Sequence, residues 1–373
     1  MGLVPQSRSY VEISRSQIAE NYRNICAAVG SAVQVMGVVK ADAYGHGAIE
    51  VSRVLCGNGA QWLAVSSVDE GIALRKSGIT VRILVMAGVL PHERASLLEH
   101  GLTPVAHSLE EVQALDDLAW PLSFHLKIDT GMTRLGTRAT VTEIASVIHT
   151  LRHARMEGIM SHFASAADFT TEQTEEQIRA FNATATGLRE AGISPPVLHL
   201  SSTNAVAYAH PDAWKVLVRP GHAIYGYVSP ARGAAPKNLL HVKPVLTWRA
   251  KIIVVKDIPA GARVGYGGSF VAPHAMRIAV LSAGYADGIL HRLSNRGRVI
   301  AAGKLTPILG TVSMDLTTID VSHAPHLQPG DDVTLLGREG TASLDAQEIA
   351  KTAGTISYNV LCGISARVKR IYV

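Results

Sequence analysis

The sequence predicts an α/β protein in two parts: an N-terminal (β/α)8 TIM-like barrel over residues 1–240, then a mainly β C-terminal domain over residues 241–373. Three observations carry that expectation. From about Tyr10 to Val218, short β-branched runs alternate with longer amphipathic segments, the pattern of a parallel sheet with helices outside it. About eight such runs fall within roughly 230 residues, which suits a closed barrel. After about Leu240 the runs become strand-like throughout, separated by turns such as Pro259-Ala260-Gly261 and Pro329-Gly330-Asp331.

In chain order, the first barrel strand is the apolar run 34–39 (QVMGVV), followed by a Gly-containing turn and a helix over 48–55. Strands at 62–65, 82–86 and 103–106 are each followed by a helix, starting near Val68, Pro91 and Ser108. Further strands are expected at 122–128, 156–161, 197–200 and 215–218, with helices over 141–149 and 174–191 between them. An open doubly wound sheet is the alternative, but no G-x-G-x-x-G fingerprint follows the early strands. In the second part, strands are expected at 242–255, 277–281, 298–302, 306–312, 317–321, 332–336 and 367–373, and only 344–352 reads as a helix.

Composition narrows the function. Charged residues make up 17% of the chain, below the rough quarter of an average globular protein, and hydrophobic residues make up 47%, so disorder is excluded for most of it. A net charge of +5 hints at nucleic acid, but the basic residues cluster no further than Arg367, Lys369 and Arg370, and no stacking-aromatic motif accompanies them. The opening MGLVPQSRSY has no apolar stretch of signal-peptide length, and no later run is long enough to cross a bilayer, so a soluble, cytoplasmic protein is expected. Cys26, Cys56 and Cys362 show neither disulfide nor zinc spacing, and no metal site is expected.

The most informative segment is 38–47, VVKADAYGHG. It puts Lys40 at the carboxyl end of an early apolar strand, the barrel face where catalytic groups collect. Desolvation there lowers an amine's pKa, and a neutral amine can form a Schiff base with a carbonyl or with pyridoxal phosphate. Tyr44, Gly45, His46 and Gly47 follow as a tight turn with a hydroxyl donor and approachable backbone, suited to a phosphate or a cofactor ring.

The segment 39–47 resembles the cofactor-lysine motif of the pyridoxal-phosphate-dependent alanine racemase family, a fold-type III family. The resemblance extends through 127–136 (KIDTGMTRLG), 158–164 (GIMSHFA), 218–221 (VRPG), 264–267 (VGYG), 283–288 (AGYADG), 313–315 (SMD) and 358–364 (YNVLCGI). Racemisation needs two acid/base groups on opposite faces of a planar intermediate. The resemblance implies Lys40 for the D-enantiomer and Tyr266, supplied by the other subunit, for the L-enantiomer. It implies His162 as the neighbour that helps tyrosine act as a base, and Arg219 at the pyridine nitrogen, where a donor-only side chain weakens the ring as an electron sink. Phosphate would meet Tyr44, Thr203, the amides of Gly221 and His222, and Tyr358. The substrate carboxylate would meet Arg134 and the backbone of Met314 from the partner chain. Lys127 matches a carbamylated lysine that orients Arg134; the alternative is an unmodified lysine, solvated or paired with Asp129.

Four positions depart from the family pattern: Ser202-Thr203 in place of an Asn-Ser pair, His222 for an aliphatic residue, Ser313 for a frequent cysteine, and His291 near the place of an arginine. The expected activity is interconversion of L-alanine and D-alanine by a homodimer with shared active sites, supplying D-alanine for peptidoglycan. The alternatives are a racemase for serine, lysine or several amino acids, and a pyridoxal-phosphate-binding homeostasis protein. The latter resembles the barrel alone, so the motifs at 264–267 and 313–315 count against it.

Overall fold

The computed structural model describes residues 7–373; the first six residues of the opening segment read for leader character lie outside it. The chain forms two compact units. One comprises residues 17–43 and 48–243; the other comprises the described residues up to Ser16, the short segment Tyr44–Gly47, and Pro244–Val373. The strands in chain order are β1 (Ser9–Ile13), β2 (Gln34–Val35), β3 (Gly37–Val38), β4 (Trp62–Val65), β5 (Arg82–Val85), β6 (Thr103–Ala106), β7 (Leu122–Lys127), β8 (Ala154–Met160), β9 (Val197–His199) and β10 (Leu217–Val218). The second part adds β11 (Leu246–Ile258), β12 (Arg263–Val264), β13 (Phe270–Val271), β14 (Met276–Leu281), β15 (Arg298–Ala301), β16 (Lys304–Pro307), β17 (Thr317–Asp320), β18 (Asp332–Glu339), β19 (Ala342–Leu344) and β20 (Lys369–Tyr372).

In the first unit, β3 to β9 form a seven-stranded parallel sheet in sequence order, and β10 pairs with β2. Since β2 and β3 flank Met36 as one interrupted strand, the β10–β2 pairing closes the sheet. Met36 N–H donates to Val218 O at 2.9 Å on that seam, and Arg219 N–H donates to Ser201 O at 2.8 Å on the far side of β10. The result is a (β/α)8 barrel, as its alternating sequence predicts. Local chemistry starts the covering helices where expected. Ser67 accepts from Glu70 N–H to cap Val68–Lys76, Ser108 accepts from Glu111 N–H to cap Leu109–Asp116, and Thr140 with Glu143 forms a capping box for Val141–Ile148. Phe124 and Tyr225 are among the largest fully buried side chains.

The second unit is mainly β. Its sheet runs β16-β15-β18-β11-β1-β20, with β14 on β11 and β17 on β14, so the chain's first strand joins its last ones. The long β11 alternates buried and half-buried residues from Leu246 to Ile252 and changes register twice, which bends it. Two expectations need correction here. The strand expected over 306–312 is observed as Lys304–Pro307. The expected single helix, observed as Ala346–Ala353 with an Asp345–Glu348 capping box, is followed by a second, Ser357–Cys362. That second helix has no side-chain cap and carries β-branched and aromatic residues, so tertiary packing of Val360 and Leu361, not propensity, holds it.

Candidate active site

The segment after β3 does more than turn. Ala41, Asp42, Ala43 and Tyr44 have φ values of 53, 51, 53 and 55°, so Lys40–Gly45 is a left-handed coil built almost wholly from non-glycine residues. Such a conformation costs about 1–2 kcal/mol per residue, and runs of it persist only where surroundings over-determine them, commonly at functional sites. Here Asp42 accepts from Ala48 N–H at 2.7 Å, Glu70 accepts from Ala41 N–H at 2.6 Å, and the Tyr225 hydroxyl holds Val38 O at 2.9 Å. A Cβ on Gly45 would lie 2.6 Å from Leu361 O, so no larger residue fits where the coil ends.

The barrel unit brings Lys40, Lys127, Arg134, His162 and Arg219 into mutual electrostatic reach. Lys127 ends β7 and is buried; burial, then Arg134 and Arg219, pull its amine down to about 8, against the attraction of Asp129 and with a further push from Lys40. It is therefore neither the solvated lysine nor a simple partner of Asp129. That carboxylate instead receives Arg138 at 2.8 Å and the amides of Gly131 and Thr133, ordering the loop that carries Arg134. His162 is pushed well below its ordinary range by burial and then by Arg219, Lys127, Arg134 and Lys40, so it is neutral at physiological pH.

Arg219 is the best-anchored of these groups. It is 2% exposed, and burial pulls its guanidinium down to about 9, still cationic at neutral pH. Nη2 donates to Ser161 O at 2.7 Å and Leu200 O at 2.9 Å, with His162 Nδ1 at 3.4 Å, and Nη1 is 2.7 Å from His199 Nδ1. Thr203, at the start of the short helix Thr203–Ala207, accepts from the amides of both Gly221 and Ala223 at 3.2 Å. The neighbouring His222 is buried and stacks on Tyr227 with ring centroids 5.1 Å apart.

The remaining candidates lie in the β unit and look different. Tyr44 and Tyr358 come together, with ring centroids 5.9 Å apart, and burial raises the Tyr44 hydroxyl so that it stays a protonated donor. Tyr266 follows Gly265, whose φ is 73°, and is 76% exposed; Met314 is 54% exposed. His291 meets Tyr285 edge-on at 6.3 Å. Sequence reasoning missed His199, His125 and Glu157 behind Arg219, and His107, which burial and Lys127 hold down to about 4. The one available signal was a polar imidazole inside the apolar strands 122–128 and 197–200.

The donor set suits an anionic cofactor. Several cations converge with one carboxylate among them, itself tied to Arg138, and a threonine hydroxyl whose lone pairs are already used keeps its proton to donate. A closed (β/α)8 barrel with a lysine after its first strand, a buried arginine after its last and several further cations between them fits a barrel enzyme able to hold pyridoxal phosphate. The chain belongs to the alanine racemase family: the pattern described as "Alanine racemase, N-terminal domain" matches residues 13–230, and "Alanine racemase, C-terminal domain" matches 245–372. An alanine racemase of Halothermothrix orenii is 38% identical over 98% of this chain and 96% of its own. The solved alanine racemase of Clostridium difficile 630 superimposes with a TM-score of 0.93 at 32% identity, covering 99% of this chain and 97% of that one. The alanine racemase of Bartonella henselae, solved with covalently bound pyridoxal phosphate, gives 0.87 at 27% identity, covering 98% and 100%.

Proposed function

We propose that this protein interconverts L-alanine and D-alanine by a two-base mechanism with pyridoxal phosphate, supplying D-alanine for peptidoglycan in the cytoplasm. The observation that carries the reading is the convergence of Lys40, Lys127, Arg134 and Arg219 around a neutral His162. Among the described residues, no helix is long and apolar enough to cross a membrane. When bound, the cofactor supplies an electron-accepting ring that acidifies the amino acid's Cα–H. Lys40 holds the cofactor and moves the Cα proton on the D-face. Tyr266 moves it on the L-face.

Arg219 would meet the pyridine nitrogen; its guanidinium donates hydrogen bonds without giving up a proton, so the ring would stay unprotonated and draw less charge. On this reading the phosphate would be held by Tyr44, Thr203, Tyr358 and the amides of Gly221 and His222, the Gly221 amide giving up the bond it now makes to the Thr203 hydroxyl. Arg134 and the Met314 amide hold the substrate carboxylate. Lys127, with an amine depressed to about 8 amid cations, is suited to carry a carbamate, whose negative charge would offset them and orient Arg134. The exposure of Tyr266 and Met314 supports their acting across a homodimer, in which each chain completes its partner's site.

The test is racemisation of a panel of L-amino acids, including serine and lysine, by purified protein with added cofactor, together with borohydride reduction. Alanine should be the preferred substrate, and the reduced cofactor should be fixed on Lys40. A protein that takes up no cofactor, or fixes it elsewhere, rejects the reading; preferred turnover of serine or lysine redirects the substrate assignment.

A further inference from the structure

A polar chain runs through the barrel interior behind Arg219. Arg219 Nη1 is 2.7 Å from His199 Nδ1, and His199 Nε2 is 2.7 Å from His125 Nδ1. His125 Nε2 faces Glu157 Oε2 at 3.8 Å. Glu157 pairs with Arg82, whose guanidinium lies 3.9 Å above the Trp62 ring. Arg219 follows the carboxyl end of β10, whereas Trp62 and Arg82 are the first residues of β4 and β5. In a parallel barrel those are opposite ends, so the chain crosses a core that such barrels usually fill with branched apolar side chains.

Chemistry fixes its direction. Arginine offers only donors, so His199 Nδ1 accepts; a neutral imidazole has one donor and one acceptor, so its Nε2–H donates to His125 Nδ1. The His125 proton is then on Nε2 and points at Glu157. Burial holds both rings below their ordinary range. Arg219 adds to that, and for His125 Glu157 opposes it. The backbone makes room for the arrangement. The β7–β8 register shifts so that Phe124 faces Met156 and His125 faces Gly158, leaving Glu157 as the bulged residue. A Cβ on Gly158 would lie 2.8 Å from His125 Nδ1 and 2.8 Å from Val197 O.

We propose that His199 and His125 are positioning residues: a one-way donor chain, facing the Glu157 carboxylate at 3.8 Å across a gap too long for a hydrogen bond, that fixes the guanidinium of Arg219, leaving its Nε–H and one Nη1–H for the cofactor ring. With Nη2 given to Ser161 O and Leu200 O and one Nη1–H given to His199, those two protons are what remain of the five. Flipping either imidazole, or moving its proton, turns an acceptor into a donor and leaves Arg219 facing an N–H. The inference rests on the proposed placement of Arg219 at the ring nitrogen.

Two measurements test it. Long-range proton–nitrogen NMR of 15N-histidine protein, with and without cofactor, should show His199 and His125 as Nε2–H tautomers that do not titrate between about pH 6 and 8. A proton on Nδ1 of either ring, or titration in that window, overturns the chain whatever the cofactor does. His199→Leu removes the acceptor, and His199→Asn keeps an oxygen near the Nδ1 position. His199→Leu should shift the bound-cofactor absorbance band and lower kcat about 100-fold with KM for alanine changed less than about threefold, and His199→Asn should recover about tenfold of kcat. A His199→Leu protein that folds by circular dichroism and keeps the wild-type band and kcat overturns the positioning role. If Arg219→Lys also leaves the band unchanged, the placement of Arg219 at the ring fails as well; if it moves the band, only the relay fails.

Discussion

The candidate residues of the barrel unit and those of the β unit are placed in opposite ways. Barrel residues come electrostatically prepared: Lys127 is pulled down to about 8, Arg219 to about 9, and His162 is kept neutral by the cations around it. The β-unit residues Tyr266 and Met314 stand on exposed turns, with only backbone features to place them. If the proposed roles hold, half of the chemistry is complete within one folded unit and the exposed Tyr266 and Met314 act only when a second chain covers them.

The largest effect breaks that comparison directly. Lys40→Ala and Tyr266→Ala should each lower racemisation by at least about 10³-fold, since each removes one of two obligatory proton-handling groups. Mixed and allowed to exchange subunits, the two inactive proteins should recover up to about a quarter of wild-type activity: half the dimers are hybrids, and half the sites in a hybrid are intact. No recovery after exchange is demonstrated by mass spectrometry would place both residues in a site formed by one chain. Tyr266→Phe should also slow release of the L-alanine Cα proton into deuterated solvent more than that of D-alanine, and equal losses would reject the assignment of faces.

The same contrast explains what could be read from the sequence. Alternation of runs gave the barrel, because a parallel sheet buried on both faces leaves a continuous apolar signature at each strand. Lys40 was legible because a charged residue at the end of an apolar strand stands out; Lys127 and Arg219 were picked out only by the resemblance of their segments to the family's motifs. The left-handed coil over Ala41–Tyr44 was not, since alanine and tyrosine carry no local preference for positive φ; Glu70 and Tyr225, remote in sequence, help enforce it. The helix Ser357–Cys362 was missed because it has no side-chain cap and middling propensity. His125 and His199 were passed over because one histidine in an apolar strand reads as a core residue, and their meaning depends on a 2.7 Å contact between residues 74 positions apart.

A smaller effect sharpens the barrel side. An amine with a pKa near 8 is partly neutral at physiological pH, and only a neutral amine adds to carbon dioxide. Supplying 13C-bicarbonate should give a carbamate carbon signal that disappears in Lys127→Ala. That variant should raise KM for alanine about tenfold, a loss typical of removing a group that orients a binding residue. Absence of the signal would mean that Lys127 acts as a lysine and Arg134 is ordered by the Asp129 loop alone.

The smallest effect is a stability signature at the far end of the histidine chain. Burial pushes the Glu157 carboxyl up, but His125 and Arg82 outweigh it and hold the folded value at about 2, against an ordinary 4.5. A depressed folded pKa means the unfolded chain binds the extra proton between those values, so the stabilisation is present above about 4.5 and is lost as pH falls toward 2. Because solvent still reaches this pair, the contribution is on the order of 1 kcal/mol rather than the full value of the shift. Urea unfolding of wild type and Glu157→Gln should therefore differ by about that amount at pH 6 and converge as pH approaches 2. A gap that stays constant across that window would show that Glu157 stabilises the barrel by packing rather than by charge, and that no carboxylate field reaches His125.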